Sequence, residues 1–254
     1  MIQLENVTFA YQDEPVLRGL SCTLENGCLT AIIGANGSGK STMLRLCAGQ
    51  LSPKSGHVLA EGREAAAYAP RAFARTVAYL PQNRPTPMIS VQSLVKHGRF
   101  PYLGMTRRLT PTDEAAVTQA MEACGVAAFS SRELRTLSGG QRQKDYLAML
   151  MAQGAQNMLL DEPTTYLDVR HQLELMALLR HLTKAGRCVA AVLHDLHQAA
   201  ACDRVLVLEQ GRLIYNGPGS GLYESGVLEH AFGIRAVPGA EAGFVPMEKA
   251  PDGL

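Results

Sequence analysis

The 254-residue sequence has no apolar run near the roughly 18–20 residues that a membrane-spanning helix needs; the longest candidate, around Tyr146 to Ala152, is far too short. Its N-terminus shows no basic stretch followed by an apolar segment, so no signal peptide is expected. If the protein serves a membrane process, a partner does the crossing. Charge of one sign is lacking too: the formal net charge is +1. That balance excludes a nucleic-acid binder working through a basic face. The six cysteines (Cys22, Cys28, Cys47, Cys124, Cys188 and Cys202) include no Cys-x-x-Cys pair, and the seven histidines do not join them at zinc-like spacing. They read as small buried hydrophobes of a reducing compartment. Internal repeats and low-complexity tracts are also missing.

What is present suits a soluble globular protein: 46% of residues are apolar and 19% charged, and the length fits one large α/β domain or two small ones. The chain opens as a strand, with Ile2, Leu4, Val7 and Phe9 apolar. Leu29 to Gly34 is an apolar run entering a glycine-rich turn, and Lys40 to Gly49 reads as a helix. Met158 to Leu160 is a compact strand that ends in two acids. Asp168 to Ala185 is helical, with Leu175, Leu178, Leu179 and Leu182 on one face. Cys188 to Leu193 is another buried strand. Val205 to Leu208 and Leu213 to Tyr215 flank a Gln210-Gly211 hairpin turn. Continuous apolar strands joined by helices predict a mostly parallel sheet covered on both faces. The stretch from about 84 to 146 holds no comparable strand and is broken by Pro85, Pro87, Pro101 and Pro111. It predicts a helical insertion in the α/β core. The tail, about 238–254, is rich in Gly, Ala and Pro and is expected to be poorly ordered.

Gly34-Ala35-Asn36-Gly37-Ser38-Gly39-Lys40-Ser41-Thr42 fits the phosphate-binding pattern G-x-x-x-x-G-K-[ST] without a gap. Glycines allow backbone N–H groups to converge on phosphate oxygens, and the helix beginning near Lys40 adds its positive end. Lys40 would reach β- and γ-phosphates, and the Ser41 hydroxyl would bind Mg²⁺. The apolar strand before and the helix after are the context this motif requires. Asp161, at the end of Met158-Leu159-Leu160, is placed to hold Mg²⁺, and Glu162 to take a proton from an attacking water.

Leu137-Ser138-Gly139-Gly140-Gln141 stands shortly before Asp161 and resembles, letter for letter, the signature motif of ABC (ATP-binding cassette) ATPases. With the phosphate loop upstream and the Asp-Glu pair downstream, the resemblance covers nearly the whole chain. It implies a single P-loop NTPase domain over 1–254: an α/β core, an N-terminal antiparallel β subdomain and an inserted helical subdomain. It also implies ATP and Mg²⁺ as cofactors, with the phosphates cradled by Gly34, Asn36, Gly37, Ser38, Gly39, Lys40, Ser41 and Thr42. Tyr11 resembles the aromatic that stacks on adenine. Gln82 resembles the glutamine that senses γ-phosphate and Mg²⁺ and links to a membrane partner. Thr165-Tyr166-Leu167-Asp168 resembles the D-loop that crosses the dimer seam, and His194, followed by Asp195, the switch histidine. Catalysis would then rest on Glu162, His194 and Gln82, and metal binding on Ser41, Gln82 and Asp161. In this family the signature loop caps the ATP of a second subunit, so one P-loop and one signature imply a homodimer or a pair with a close paralogue. His97, His171, His181, His197 and His230 match no such element and read as surface or packing residues.

Residues 89–104, Pro163 to Asp168 and Val192 to Leu196 are similar to ATPases that drive ferric-siderophore, haem and cobalamin import. This implies a peripheral motor at the cytoplasmic membrane face, paired with an integral permease and, indirectly, an extracytoplasmic substrate-binding protein, and no nucleic-acid partner. The alternatives are a non-transport ABC ATPase of DNA repair, translation or iron–sulfur assembly, whose usual long insertions or second cassette are missing here, and a nucleotide-binding regulator, which would lack a usable Glu162. The apolar cluster Met88, Phe100, Tyr102, Leu103 and Met105 beside Gln82 is the expected groove for a permease helix. One departure from the family is Asp145, where a small or apolar residue is usual; it bears on how its helix packs.

Overall fold

Alternating apolar residues lay down the first layer. In the computed structural model, which describes residues 1–104, 108–165, 167–237 and 243–246, β1 (Ile2–Tyr11) buries Ile2, Leu4, Val7 and Phe9. It pairs antiparallel with β2 (Glu14–Leu24) and β4 (Ser55–Ala60), and β4 carries the short β5 (Arg63–Glu64). The resulting sheet has the order β2-β1-β4-β5, the antiparallel subdomain expected at this end of the chain.

The central sheet is built from strands buried on both faces. These are β3 (Leu29–Ile33), β6 (Val77–Leu80), β7 (Asn157–Leu160), β8 (Cys188–Val192) and β9 (Arg204–Glu209), paired in parallel, with β10 (Arg212–Pro218) closing one edge through the Gln210-Gly211 hairpin. The order is β10-β9-β3-β8-β7-β6. Strand alternation divides the core in two. Leu29, Ala31, Ile33, Met158, Leu160, Val189 and Ala191 pack on one side, against the helical insertion and α6 (Val169–Lys184). Ile32, Leu159, Ala190, Val192 and Leu206 pack on the other, against α1 (Lys40–Cys47) and the antiparallel sheet. Because the strands are parallel, the segments that follow β3, β6, β7 and β8 all emerge at one edge of the sheet, where α/β proteins place ligands.

Between β6 and β7 lies the helical insertion: α3 (Val91–His97), a 3-10 turn at Phe100–Tyr102, α4 (Pro111–Ala123) and α5 (Gly139–Gln153). Thr110 opens α4 with a capping box to Asp113, and Pro111 takes the first helical position, where a missing N–H costs nothing. Arg99 ties the insertion together: its Nε donates to Asp113 Oδ1 (2.9 Å), its guanidinium reaches the Ala152 carbonyl (2.9 Å) and it stacks 3.7 Å from the Tyr102 ring centroid. The insertion's last helix continues past Tyr146. That residue lies in the middle of α5, which runs on to Gln153 with Leu147, Ala148, Leu150 and Ala152 all buried, so the helix is covered on most of its circumference. Within the tail expected to be poorly ordered, Gly243–Pro246 instead pairs antiparallel with Ile234–Val237 as β12 on β11; 238–242 and 247–254 lie outside the described residues. All six cysteines are free, and all but Cys28 are buried, as expected for packing residues.

Candidate nucleotide site

Four strand ends bring the site together. After β3 the chain turns through Gly37 (φ 79°) and Gly39 (φ 103°), a left-handed backbone that only glycine adopts without strain. A side chain at Gly39 would also meet Leu17 Cδ2 at 2.7 Å. The loop folds around Lys40, which is 6% exposed and donates to the carbonyls of Gly34 (2.8 Å) and Ala35 (2.9 Å). Burial pulls the Lys40 ammonium below its usual pKa, and the charges of Glu162 and Asp161 work against that. Ser38 Oγ is buried with no hydrogen-bond partner among the described residues.

Asp161 continues the β6–β7 ladder, its N–H donating to the Leu80 carbonyl (2.8 Å), and its side chain is almost wholly buried. Ser41 Oγ donates to its Oδ1 (3.1 Å) and Tyr79 Oη to its Oδ2 (3.3 Å). Burial raises the Asp161 pKa; the two hydroxyls oppose this. Glu162 sits at φ 50°, a left-handed conformation that costs a bulky residue on the order of 1–3 kcal/mol. This turn aims its carboxylate at three donors: His194 Nε2 (2.8 Å), Gln82 Nε2 (2.7 Å) and Thr165 Oγ1 (3.2 Å). Burial disfavours the charge, but His194 foremost, then Thr165 and Gln82, hold the carboxyl below the usual range. Glu162 is therefore ionised at neutral pH, as a proton acceptor must be.

Asn36, Gly37, Lys40, Ser41, Gln82 and Glu162 line one cleft together with Gly39, Thr42 and Val16. Tyr11 lies outside that lining. It is 42% exposed, packs edge-on against Phe9 and accepts a hydrogen bond from Arg45 (2.9 Å). Val16, from β2, is the apolar side chain that reaches the cleft. None of Leu137, Ser138, Gly139, Gly140 or Gln141 lines it either. Ser138 instead caps α5, sharing a capping box with Gln141. Asp168 caps α6 and pairs with His171 (2.8 Å); Tyr166 lies outside the described residues.

Several contacts had no sequence signal. Tyr79 and Thr165 approach the acids only because of strand pairing and turn geometry. A second set pins the segment after Gln82 to the signature helix: Arg84 donates to Gln143 Oε1 and lies over the Tyr146 ring (5.4 Å), Tyr146 donates to the Pro85 carbonyl, and Gln143 donates to that of Pro163. Each of these residues is an ordinary polar or aromatic one in sequence, and only the fold shows their role.

The residues fit a magnesium nucleotide. A buried Ser38 hydroxyl with no partner among the described residues, a buried Lys40 ammonium bonded to two carbonyls, and hard oxygen donors at Ser41 and Asp161, with Gln82 lining the same cleft as Ser41, suit phosphate and Mg²⁺. Lys40→Ala should weaken ATP binding by about 10–100-fold, the loss of one or two charge-assisted hydrogen bonds, with an unchanged circular-dichroism spectrum. Wild-type affinity by equilibrium binding would show that Lys40 does not hold the phosphates.

Comparison with known proteins agrees with this geometry. Residues 17–165 match the sequence profile described as ABC transporter. The ferric enterobactin transport ATP-binding protein FepC of Escherichia coli (strain K12) is 40% identical over 236 residues, 92% of this chain and 87% of the relative. The iron(3+)-hydroxamate import ATP-binding protein FhuC of Bacillus subtilis (strain 168) is 36% identical over 238 residues, covering 92% and 88%. Among solved structures, cbiO1 from Clostridium perfringens, part of the ABC transporter complex cbiONQ, superposes with a TM-score of 0.77 at 25% identity, over 91% of this chain and 95% of that one. A profile match over more than half the chain, relatives at this identity along nearly its full length, and a phosphate loop facing an Asp-Glu strand end lead to one conclusion: the chain belongs to the ABC transporter family, as an ATP-hydrolysing subunit.

Proposed function

We propose that this subunit is the motor of an importer for a metal chelate, an iron–siderophore, haem or cobalamin, and that it works as a dimer on a separate permease at the cytoplasmic face of the membrane. The observation that carries the cargo class is the similarity over 92% of the chain to the ferric enterobactin and iron(3+)-hydroxamate ATP-binding proteins. An extracytoplasmic binding protein would deliver the cargo to the permease. Among the described residues no helix is long and apolar enough to cross a membrane, which fits a peripheral partner.

The chain's own groups define the cycle. Lys40 would exchange its two carbonyls for phosphate oxygens, and the orphaned Ser38 hydroxyl would turn to the same ligand. Mg²⁺ bound among Ser41, Asp161 and Gln82 would neutralise charge on the β- and γ-phosphates. Glu162, released in part from its contacts with His194 and Gln82, would accept the proton of the attacking water, and His194 would then be free to reach the γ-phosphate. The signature residues lie outside their own cleft, which supports a second copy supplying them. Gln82 is the point of coupling. It touches Glu162, and the segment after it is pinned to α5 through Arg84, Gln143 and Tyr146.

The permease contact is narrower than the apolar cluster beside Gln82. Leu103 is 9% exposed, and Tyr102 lies between Arg75 (4.8 Å) and Arg99 (3.7 Å), so both offer less free surface than their neighbours. Phe100 and Met88 are 54% and 75% exposed, and Phe100, Pro101 and Leu103 border a cleft with Pro70, Arg71 and Ala74 of α2 (Pro70–Thr76). Met105 lies outside the described residues. Replacing Phe100 and Met88 with alanine should leave basal ATPase activity of the isolated subunit intact. In the assembled transporter it should lower stimulated hydrolysis and chelate uptake about thirtyfold, the effect of losing one aromatic anchor of about 2 kcal/mol. The same complex tests the function. Copurification with a permease, and uptake of radiolabelled chelate that stops without ATP, are expected; a subunit that associates with no membrane protein would overturn the importer reading.

A further inference from the structure

We infer that Tyr79 is a positioning residue for the metal-binding carboxylate: its hydroxyl fixes Asp161 so that the opposite oxygen, Oδ1, is presented to Mg²⁺. The inference rests on the site assignment above and deepens it.

The register explains the contact. Tyr79 pairs with Leu159 in the parallel β6–β7 ladder, and both point to the side of the sheet that faces α1. Asp161 is two residues beyond Leu159, so by strand alternation its side chain emerges on that same side, about 6.6 Å further along. A tyrosine is long enough to span that step, and its hydroxyl ends 3.3 Å from Asp161 Oδ2. Phenylalanine would fill the same space and donate nothing; a shorter polar residue would not reach.

The two carboxylate oxygens have different partners. Oδ1 accepts from Ser41, the residue whose hydroxyl the metal would claim, whereas Oδ2 accepts from Tyr79, which has no reason to leave. Were the Ser41 hydroxyl taken up by a cation, Oδ1 would be released while Oδ2 keeps Tyr79. Asp161 is 2% exposed, so few other donors can reach Oδ2. Hydrogen-bond partners of metal ligands set ligand orientation, and their removal commonly costs 10–100-fold in metal affinity. The ring itself is held among apolar side chains of the core on the α1 side.

The test is Tyr79→Phe in the full chain, read by Mn²⁺ electron paramagnetic resonance at saturating ADP, alongside ADP affinity without metal and the thermal midpoint. Mn²⁺ affinity should fall about tenfold or more, while metal-free ADP affinity and thermal midpoint stay at wild-type values. Unchanged Mn²⁺ affinity would overturn the inference. So would an equal loss of Mn²⁺ and metal-free ADP binding, which would show that the hydroxyl merely supports the fold of the cleft. If the wild-type chain itself forms no ADP-linked Mn²⁺ site, the site assignment fails with it; a normal wild-type site with an indifferent Tyr79→Phe removes only the role of Tyr79.

Discussion

Glu162→Gln should lower ATP turnover by about 10²–10⁴-fold, the usual contribution of a positioned proton acceptor, with Mg-ATP affinity kept. The substitution preserves shape and still accepts from Gln82 and Thr165, so the left-handed turn that aims residue 162 has no cause to change. Only the charge is lost, and with it the pull on His194. If two copies close on two nucleotides, a variant that binds but cannot hydrolyse should remain closed. Size-exclusion chromatography with Mg-ATP should then show a dimer, and removal of Mg²⁺ with a chelator should return the monomer. The assembled transporter serves as the control, because its permease holds both copies together. Turnover within threefold of wild type would move the proton acceptor elsewhere. A monomer at every protein concentration, together with the expected loss of turnover, would leave Glu162 in place and refute nucleotide closure between copies.

The parts of this site that were legible in the sequence are local ones. The loop from Gly34 to Thr42 announces itself because each glycine answers a backbone demand within nine residues of chain, and the acids follow directly on an apolar strand. The parallel core was legible for a similar reason: strands buried on both faces carry no polar alternation. The contacts that tune the site were not. Tyr79 meets Asp161 across 82 residues, and Arg84 meets Gln143 across 59. Strand register and helix packing decide such pairs, and neither is written in a window of sequence. Side-chain exposure was hidden as well. Phe100, Tyr102 and Leu103 look alike as an apolar run, but Arg75 and Arg99 claim Tyr102, the interior claims Leu103, and only Phe100 remains prominent on the surface. The contacts of Tyr11 with Phe9 and Arg45, outside the phosphate cleft, are likewise set by the fold.

Asp145, where the family resemblance leads to the expectation of a small or apolar residue, is costly in this structure. It sits in the second turn of α5, 0% exposed, and neither carboxylate oxygen has a hydrogen-bond partner among the described residues. Lys144, next in the chain, reaches away to Glu174 on α6, and the nearby Cys124 of the α4 end is itself pushed up to about 12, by burial first and then by this acid. Burial raises the Asp145 pKa from 3.8 to about 7. The sign follows from proton binding. The folded chain holds this proton over a range in which the unfolded chain has lost it, so the contribution to stability falls as pH rises from about 4 to about 7 and is flat above. At about 1.4 kcal/mol per unit, discounted for screening and for the small cavity left by the missing atoms, Asp145→Ala should stabilise the folded chain by roughly 2–3 kcal/mol at pH 8. For a domain of this size that is a rise in Tm of about 5–10 °C. At pH 5, where the native carboxyl is already neutral, the gain should be less than half as large. Thermal melts of both proteins at pH 5 and pH 8 measure the difference directly. Equal melting points at both pH values, or a less stable alanine variant at pH 8, would mean that the ionised Asp145 is matched by a cation or water in solution, and that the helical subdomain tolerates the charge without loss.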